Sequence, residues 1–421
     1  MSGIKHFLTV IGFAGCLSFM GSAQAQQVVD ASTMNHKLLM GYQGWFACPG
    51  DGSQVNGWVH WFRRNNPVAT NATVDFWPDV SELAADELFA TRLTLPDGSP
   101  AKVYSAFTTK TVLRHFQWMQ EYQLDGVFLQ RFTTELADPR FFALRNQLTD
   151  NVRAGAEKYG RVFAIMYDIS GEPTNKLFSV LTNDWNVLTH TLHITDSSRY
   201  LHHNGKPVVA IWGFGFAGRQ DTPELALATI RYFQNAGCTV VGGVPSYWRT
   251  LNRDAQSNPA WAQAFRAFDV ISPWSVGRYA DDASADNYAG EVIRPDLAAA
   301  QSAGRDYLPV IFSGFSWHNL NGGPLNQTPR RGGAFYWRQA FNAVKAGCPM
   351  LYGAMFDEMD EGTAMFKLAP TKATLPVPGT FVPLDADGIK LPSDWYLRLA
   401  NEAGKMLRGE IPVTNAIPIK P

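Results

Sequence analysis

Hydrophobic positions along this chain fall into two recurring patterns: short unbroken apolar runs, and longer stretches at helical spacing between them. The short runs predict strands at 37–45, 125–130, 161–167, 207–212, 239–244, 269–273, 308–312 and 349–356. Runs such as Val127-Phe128-Leu129 and Val208-Val209-Ala210-Ile211 lack polar alternation, the mark of parallel strands covered on both faces. The amphipathic stretches predict helices at 109–122, 139–159, 175–188, 223–236, 260–267, 286–303, 335–346 and 394–407. Asp138-Pro139 and Thr222-Pro223 begin two of them with a capping side chain followed by Pro at the first helical position. Strand and helix alternating eight times is the count of a single (β/α)8 barrel. An open, doubly wound sheet is the architectural alternative.

Two connections are long, 46–108 and 365–393, and each follows a predicted strand. In a barrel both therefore lie on the C-terminal face, where active sites are built. The predicted strand ends carry polar and aromatic residues. Gln43 and Trp45 close the first, Gln130-Arg131 the second, Tyr167-Asp168 the third and Trp212 the fourth. Trp248, Trp274 and Trp317-His318 follow the next three, and Asp357-Glu358 follow the last. Flat apolar rings beside a few directed polar groups suit a sugar, whose C–H face stacks while its hydroxyls take hydrogen bonds. Trp45, Trp212, Trp248, Trp274 and Trp317 are therefore candidate sugar platforms, with Gln43, Arg131, Asp168 and His318 as polar contacts. The competing explanation is that these Trp are core residues under the loops.

The densest polar feature is Asp357-Glu358-Met359-Asp360-Glu361-Gly362-Thr363, directly after an apolar run. Repulsion among its carboxylates should raise at least one pKa, so that one acid stays protonated beside an ionised neighbour. Glycoside hydrolysis needs that division of labour. A solvated loop or a calcium or magnesium site would also account for the cluster. Gly213-Phe214-Gly215-Phe216-Ala217-Gly218 matches a dinucleotide-binding pattern, but no helix starts at once and no acidic residue stands at the required distance.

A net charge of −1 and only 17% charged residues remove the electrostatic footprint of a nucleic-acid or membrane-surface binder. With 46% hydrophobic and 13% aromatic residues the chain has material for a large core and for a lined binding surface. Residues 1–25 read as a secretory leader with Ala23-Gln24-Ala25 as cleavage site, which predicts an exported, periplasmic or extracellular protein starting at Gln26. Lipid anchoring at Cys16 is the weaker alternative. No later run is long enough to span a bilayer. Residues 26–410 form the expected barrel domain, with 411–421 as a tail. Cys48, Cys238 and Cys348 are an odd set without metal-ligand spacing, and at most one pair could bridge.

The segment Gly353-Ala354-Met355-Phe356-Asp357-Glu358-Met359-Asp360-Glu361-Gly362-Thr363 resembles the N-E-W-x-E-G-T segment of the glycoside hydrolase family 71/99-like superfamily. Gly41-Tyr42-Gln43-Gly44-Trp45-Phe46, Gly314-Phe315-Ser316-Trp317-His318-Asn319 and Gly332-Gly333-Ala334-Phe335-Tyr336-Trp337-Arg338-Gln339 are similar to segments of exported bacterial members labelled xylosidase/arabinosidase. The resemblance covers residues 37–407. It implies a (β/α)8 barrel. In the endo-α-mannosidase/mannanase branch it further implies two catalytic glutamates, which fall on Glu358 and Glu361. The first of these takes the proton of the sugar 2-hydroxyl, which attacks its own anomeric carbon; the second is general acid and base. Here Asp357 replaces the Asn, Met359 replaces the Trp, and Asp360 adds a charge.

The expectation is an exported glycoside hydrolase acting on a carbohydrate substrate, with Glu361 as acid and Glu358 as base or nucleophile, and with no organic cofactor or metal. A carbohydrate-binding protein that kept the barrel and lost catalysis is the alternative, and a metal-dependent enzyme using the carboxylate cluster is a third.

Overall fold

The computed structural model describes Gly3 and residues 28–421. Apart from Gly3, the expected leader and its Cys16 lie outside the described residues.

β1 (Leu38–Tyr42) opens into a long excursion that holds the hairpin β2 (Leu88–Thr94) and β3 (Pro100–Tyr104) and ends at α1 (Thr109–Glu121). β4 (Gly126–Phe132) leads to α2 (Pro139–Tyr159), and β5 (Val162–Asp168) to α3 (Thr174–His190). A short β6 (His202–His203) precedes β7 (Lys206–Trp212) and α4 (Pro223–Asn235). Next come β8 (Thr239–Pro245), α5 (Trp261–Phe265), β9 (Val270–Trp274), α6 (Asp282–Tyr288) and α7 (Arg294–Ser302). The chain finishes with β10 (Asp306–Tyr307), β11 (Val310–Phe312), α8 (His318–Asn321), α9 (Ala334–Lys345), β12 (Leu351–Ala354) and α10 (Trp395–Leu407).

The main sheet runs in the order β10-β9-β8-β7-β5-β4-β1-β12-β11, parallel at every step. β10 and β11 are two parts of one run broken at Pro309. The first part pairs with β9 and the second with β12, so the sheet closes on itself. Closure makes it a (β/α)8 barrel and removes the open-sheet alternative. All eight predicted strands are present, with the seventh split at Pro309, a residue that cannot donate to a ladder.

The local signals act as expected at the helix starts. The Asp138 side chain accepts from Arg140 N–H, and that of Thr222 accepts from Leu225 N–H. One helix departs from expectation. The stretch 286–303 is not a single α-helix but α6 and α7 joined by a π turn over Ala289–Ile293. Pro295 has no N–H for the carbonyl of Glu291, and Arg249 Nη2 takes that carbonyl instead at 3.3 Å.

Both long excursions lie on the C-terminal face and pack on each other. Bridges join Pro78 to Leu368 and Thr94 to Val377, and Ala369 N–H donates to Trp77 O at 2.8 Å. Cys48, Cys238 and Cys348 are buried and unbridged. Among the described residues no helix is long and apolar enough to cross a membrane.

Candidate active site

Side chains alternate in direction along a strand, so at each barrel strand one set points to the interior and the next set to the helices. The register aligns Phe132 with Asp168, and Asp168 with Trp212, placing three inward side chains at one level of the barrel mouth. With Gln43, Trp45, Gln130, Ser170, Trp274, Met355, Glu358 and Glu361 they line a pocket of ≈ 250 Å³.

The acidic loop after β12 folds back on itself. Thr363 and Ala364 N–H groups both donate to Glu358 O, at 3.1 and 2.9 Å. Gly362 sits at φ +71°, and a Cβ there would lie 2.6 Å from the backbone nitrogen of Ser316, so both conformation and space call for glycine. Arg330, fully enclosed between Phe76 and Tyr396, donates Nη2 to the carbonyls of Gly362 and Ala364 at 2.9 and 2.7 Å. Burial lowers its guanidinium to about 10. Ser313 Oγ donates to Thr363 O at 2.9 Å, and Asp75 N–H donates to Met359 O at 3.1 Å. This bracing fixes where the carboxylates point.

Each of the four carboxylates has its own surroundings. Asp357 accepts from the N–H groups of Gln43 and Gly44 at 2.7 and 2.8 Å, holding the turn after β1; burial pushes it up to about 7. Asp360, fully buried, faces His60 Nδ1 at 2.9 Å. Glu358 Oε1 accepts from Gln43 Nε2 and Oε2 from Thr363 Oγ1, each at 2.5 Å. Burial, then Glu361 and Asp360 alongside, hold Glu358 well above the ordinary carboxylate range. Glu361 receives no side-chain hydrogen bond among the described residues and faces the pocket. Burial, then Asp360 and Asp168, push it up to about 8. The solvated-loop explanation fails, since three of the four are at most 4% exposed. Nor is any group of three His, Cys, Asp or Glu among the described residues arranged to hold a metal ion.

Three pocket-lining groups have spare hydrogen-bonding capacity. Trp45 Nε1, Trp212 Nε1 and Gln43 Oε1 are buried with no protein partner. Two donors and one acceptor around a concave, acid-bearing pocket are capacity that a bound polar molecule would use.

Of the residues expected from the sequence, the pocket brings together Glu358, Glu361, Gln43, Trp45, Asp168, Trp212 and Trp274. Four others stand elsewhere. Arg131 is on the opposite strand parity: fully buried, it pairs with Asp184 and donates Nη1 to Thr149 at 3.1 Å, under α2 and α3. Its neighbour Gln130 points inward and donates Nε2 to Tyr352 OH at 3.0 Å. Trp248 is fully buried, with Nε1 donating to Asp296 at 2.8 Å, and belongs to the core as the competing explanation held. Trp317 and His318 sit beside the pocket without lining it. Asp75 receives the His318 N–H at 2.8 Å, and the His318 ring turns back to Gly323 O. Sequence reasoning missed Gln130, Phe132, Ser170 and Met355 as lining residues, along with the bracing roles of Asp75 and Arg330. The parity of Gln130 against Arg131 was readable in principle; Asp75, in a long irregular excursion, gave no signal.

The fold and the pocket thus define a (β/α)8 barrel with a pair of acids at its C-terminal mouth. No family model and no curated protein matches the sequence. Among solved structures, the GH99 endo-α-mannosidase from Bacteroides thetaiotaomicron superposes with a TM-score of 0.62 at 13% identity, over 90% of this chain and 99% of that one. The structure of that enzyme with bis-tris-propane gives 0.61 at 13% identity over the same shares. A glycoside hydrolase-like protein gives 0.51 at 13% identity, over 82% of this chain and 98% of its own. The chain shares their fold, as its E-x-x-E-G-T segment implied.

Proposed function

We propose that this protein is an exported glycoside hydrolase in which Glu361 protonates the leaving oxygen and Glu358 serves as base or nucleophile. The observation that carries this reading is the asymmetry of the two glutamates within one aromatic pocket. Burial and mutual repulsion mean that the pair keeps a proton near neutrality. Gln43 and Thr363 donate to both oxygens of Glu358, which favours its carboxylate, and among the described residues no side-chain donor reaches Glu361. Burial raises both glutamates, and we assign the retained proton to Glu361 on the ground of these hydrogen bonds. A raised acid beside a fixed carboxylate is the arrangement glycoside hydrolysis uses.

Trp45, Trp212 and Trp274 supply flat apolar walls, and the unmet groups of Trp45, Trp212 and Gln43 supply hydrogen bonds to sugar hydroxyls. A volume of ≈ 250 Å³ lies below the roughly 300–1,000 Å³ common for drug-sized ligands, which suits one sugar ring at the acids. The endo-α-mannosidase likeness makes α-mannans the first polymers to try.

The test is reducing-sugar release from α-mannans, α-glucans, xylans and arabinans, with Glu358→Gln and Glu361→Gln in parallel. Release that collapses in both variants supports the reading. Binding of a glycan without cleavage by the wild type would make the protein a sugar-binding barrel instead.

A further inference from the structure

Asp360 sits between the two glutamates in sequence, yet its side chain turns away from them to His60, on the far-off first excursion. The His60 ring lies flat on the indole of Trp45, with centroids 3.9 Å apart and planes at 5°. His60 has φ +57°, in the left-handed region that few non-glycine residues other than Asn, Asp and His adopt. It is held there by Thr73, whose Oγ1 donates to His60 O and whose N–H donates to Trp61 O at 3.0 Å. Trp45 is 6% exposed, lines the pocket beside both glutamates, and has a buried Nε1 without a protein partner. Phe132 touches the same indole at 5.0 Å with planes tilted by 32°, so it flanks Trp45 without fixing its plane.

We propose that Asp360 and His60 are positioning residues for substrate. Asp360 anchors the His60 ring, which fixes the plane of Trp45 and the direction of its free Nε1–H toward the sugar. The inference rests on the sugar-binding reading of the pocket and deepens it. It also gives a use to the carboxylate at the free position between the two glutamates. A stack needs both its planes held, and His60 is partly exposed at its edge; without the buried carboxylate on Nδ1 the imidazole could rotate about its side-chain bonds. Neither residue touches the pocket, so the effect of His60 on substrate passes through Trp45, while Asp360 also acts on the glutamates through its charge.

The experiment uses whichever glycan the wild type cleaves, or binds if no release is seen. His60→Ala and Asp360→Ala should each raise KM, or Kd, about tenfold, and His60→Ala should leave kcat within about threefold. The double variant His60→Ala/Asp360→Ala should lose no more than the single variants, because the two act as one chain of contacts. Asp360→Asn, whose amide oxygen can still accept from His60 Nδ1–H, keeps the anchor and should hold KM within about threefold of wild type. Thermal melting and near-UV circular dichroism identify any variant that has simply unfolded. Folded His60→Ala protein with unchanged KM would overturn the proposal, as would additive losses in the double variant. A wild type that neither cleaves nor binds any glycan would remove the functional reading and this inference with it. That failure shows in the wild type alone, whereas failure of the positioning role shows only in variants of a wild type that engages sugar.

Discussion

Gln43 Nε2 reaches Glu358 Oε1 at 2.5 Å across 315 positions of sequence, joining the end of the first barrel strand to the loop after the last. Removing the amide leaves a buried carboxylate oxygen unpaired, a loss of about 1–3 kcal/mol in the ionised form. Gln43→Ala should therefore lower kcat by about 10–100-fold with a smaller change in KM. Steady-state kinetics on the cleaved polymer checks this, and an unchanged kcat would show that Thr363 alone holds Glu358.

The acid assignment sets the shape of the pH profile. Glu361, raised to about 8, must carry a proton in its proposed role, so activity should fall on the alkaline side around that value. Asp360 is the first charge that raises Glu361 after burial itself. Asp360→Asn should move the alkaline limb to lower pH while leaving the hydrogen bond to His60 geometrically available. A limb that stays in place in this variant would assign it to another group.

The same raised acid makes stability depend on pH in a definite direction. Glu361 binds its proton more tightly folded than unfolded, where its ordinary value is 4.5, so the native state holds more protons between 4.5 and about 8. Stability should fall as pH rises through that window. Glu361→Gln should flatten the dependence and raise stability at pH 8 by about 2–4 kcal/mol. Chemical denaturation of both proteins at pH 5 and pH 8 is the measurement; a wild type equally stable at both values would contradict the raised acid.

Platform and core tryptophans should separate cleanly. Trp212→Ala and Trp274→Ala open the pocket wall and should raise KM about tenfold with modest loss of stability. Trp248→Phe removes a buried hydrogen bond to Asp296 outside the pocket and should lower the melting temperature with KM unchanged. Equal effects on KM would mean that the division between wall and core is wrong.

Arg131 offers a stronger form of that contrast. Arg131→Met leaves Asp184 buried without its cation, which should cost about 3–5 kcal/mol of stability. The folded fraction should keep wild-type KM, as read from initial rates corrected for folded protein by circular dichroism.

Most of the barrel was legible in the sequence because its signals are local. Unbroken apolar runs mark the doubly covered strands, and a capping side chain before Pro139 and Pro223 marks helix starts. The acidic cluster was legible because four carboxylates within five residues after an apolar strand are costly without a use, and the resemblance singled out Glu358 and Glu361 within it. Legibility ended wherever direction mattered more than position. Arg131 and Gln130 are adjacent in the chain, and only the facing of the strand decides which enters the barrel. Trp248, at a strand end like Trp212, is covered by helices that the sequence does not place. His60 and Asp75 lie in an excursion without periodicity, and they join the site only because that excursion packs against the acidic loop.

That packing bears on the order in which the protein can assemble. The pocket draws on residues 43–45 from the first strand end and the loop at 355–363 near the end of the chain, with His60 of the first excursion stacked on Trp45. Loop closure over such separations has to be met before the contacts return any stability, which slows folding. Helices and central strands can form while the chain is still incomplete, but the acids meet their partners only when the last strand inserts between the first and the seventh. The complete pocket should therefore appear as one of the final events of folding, after most secondary structure is already in place. A chain stopped short of β12 would have much of the barrel and neither glutamate of its pocket.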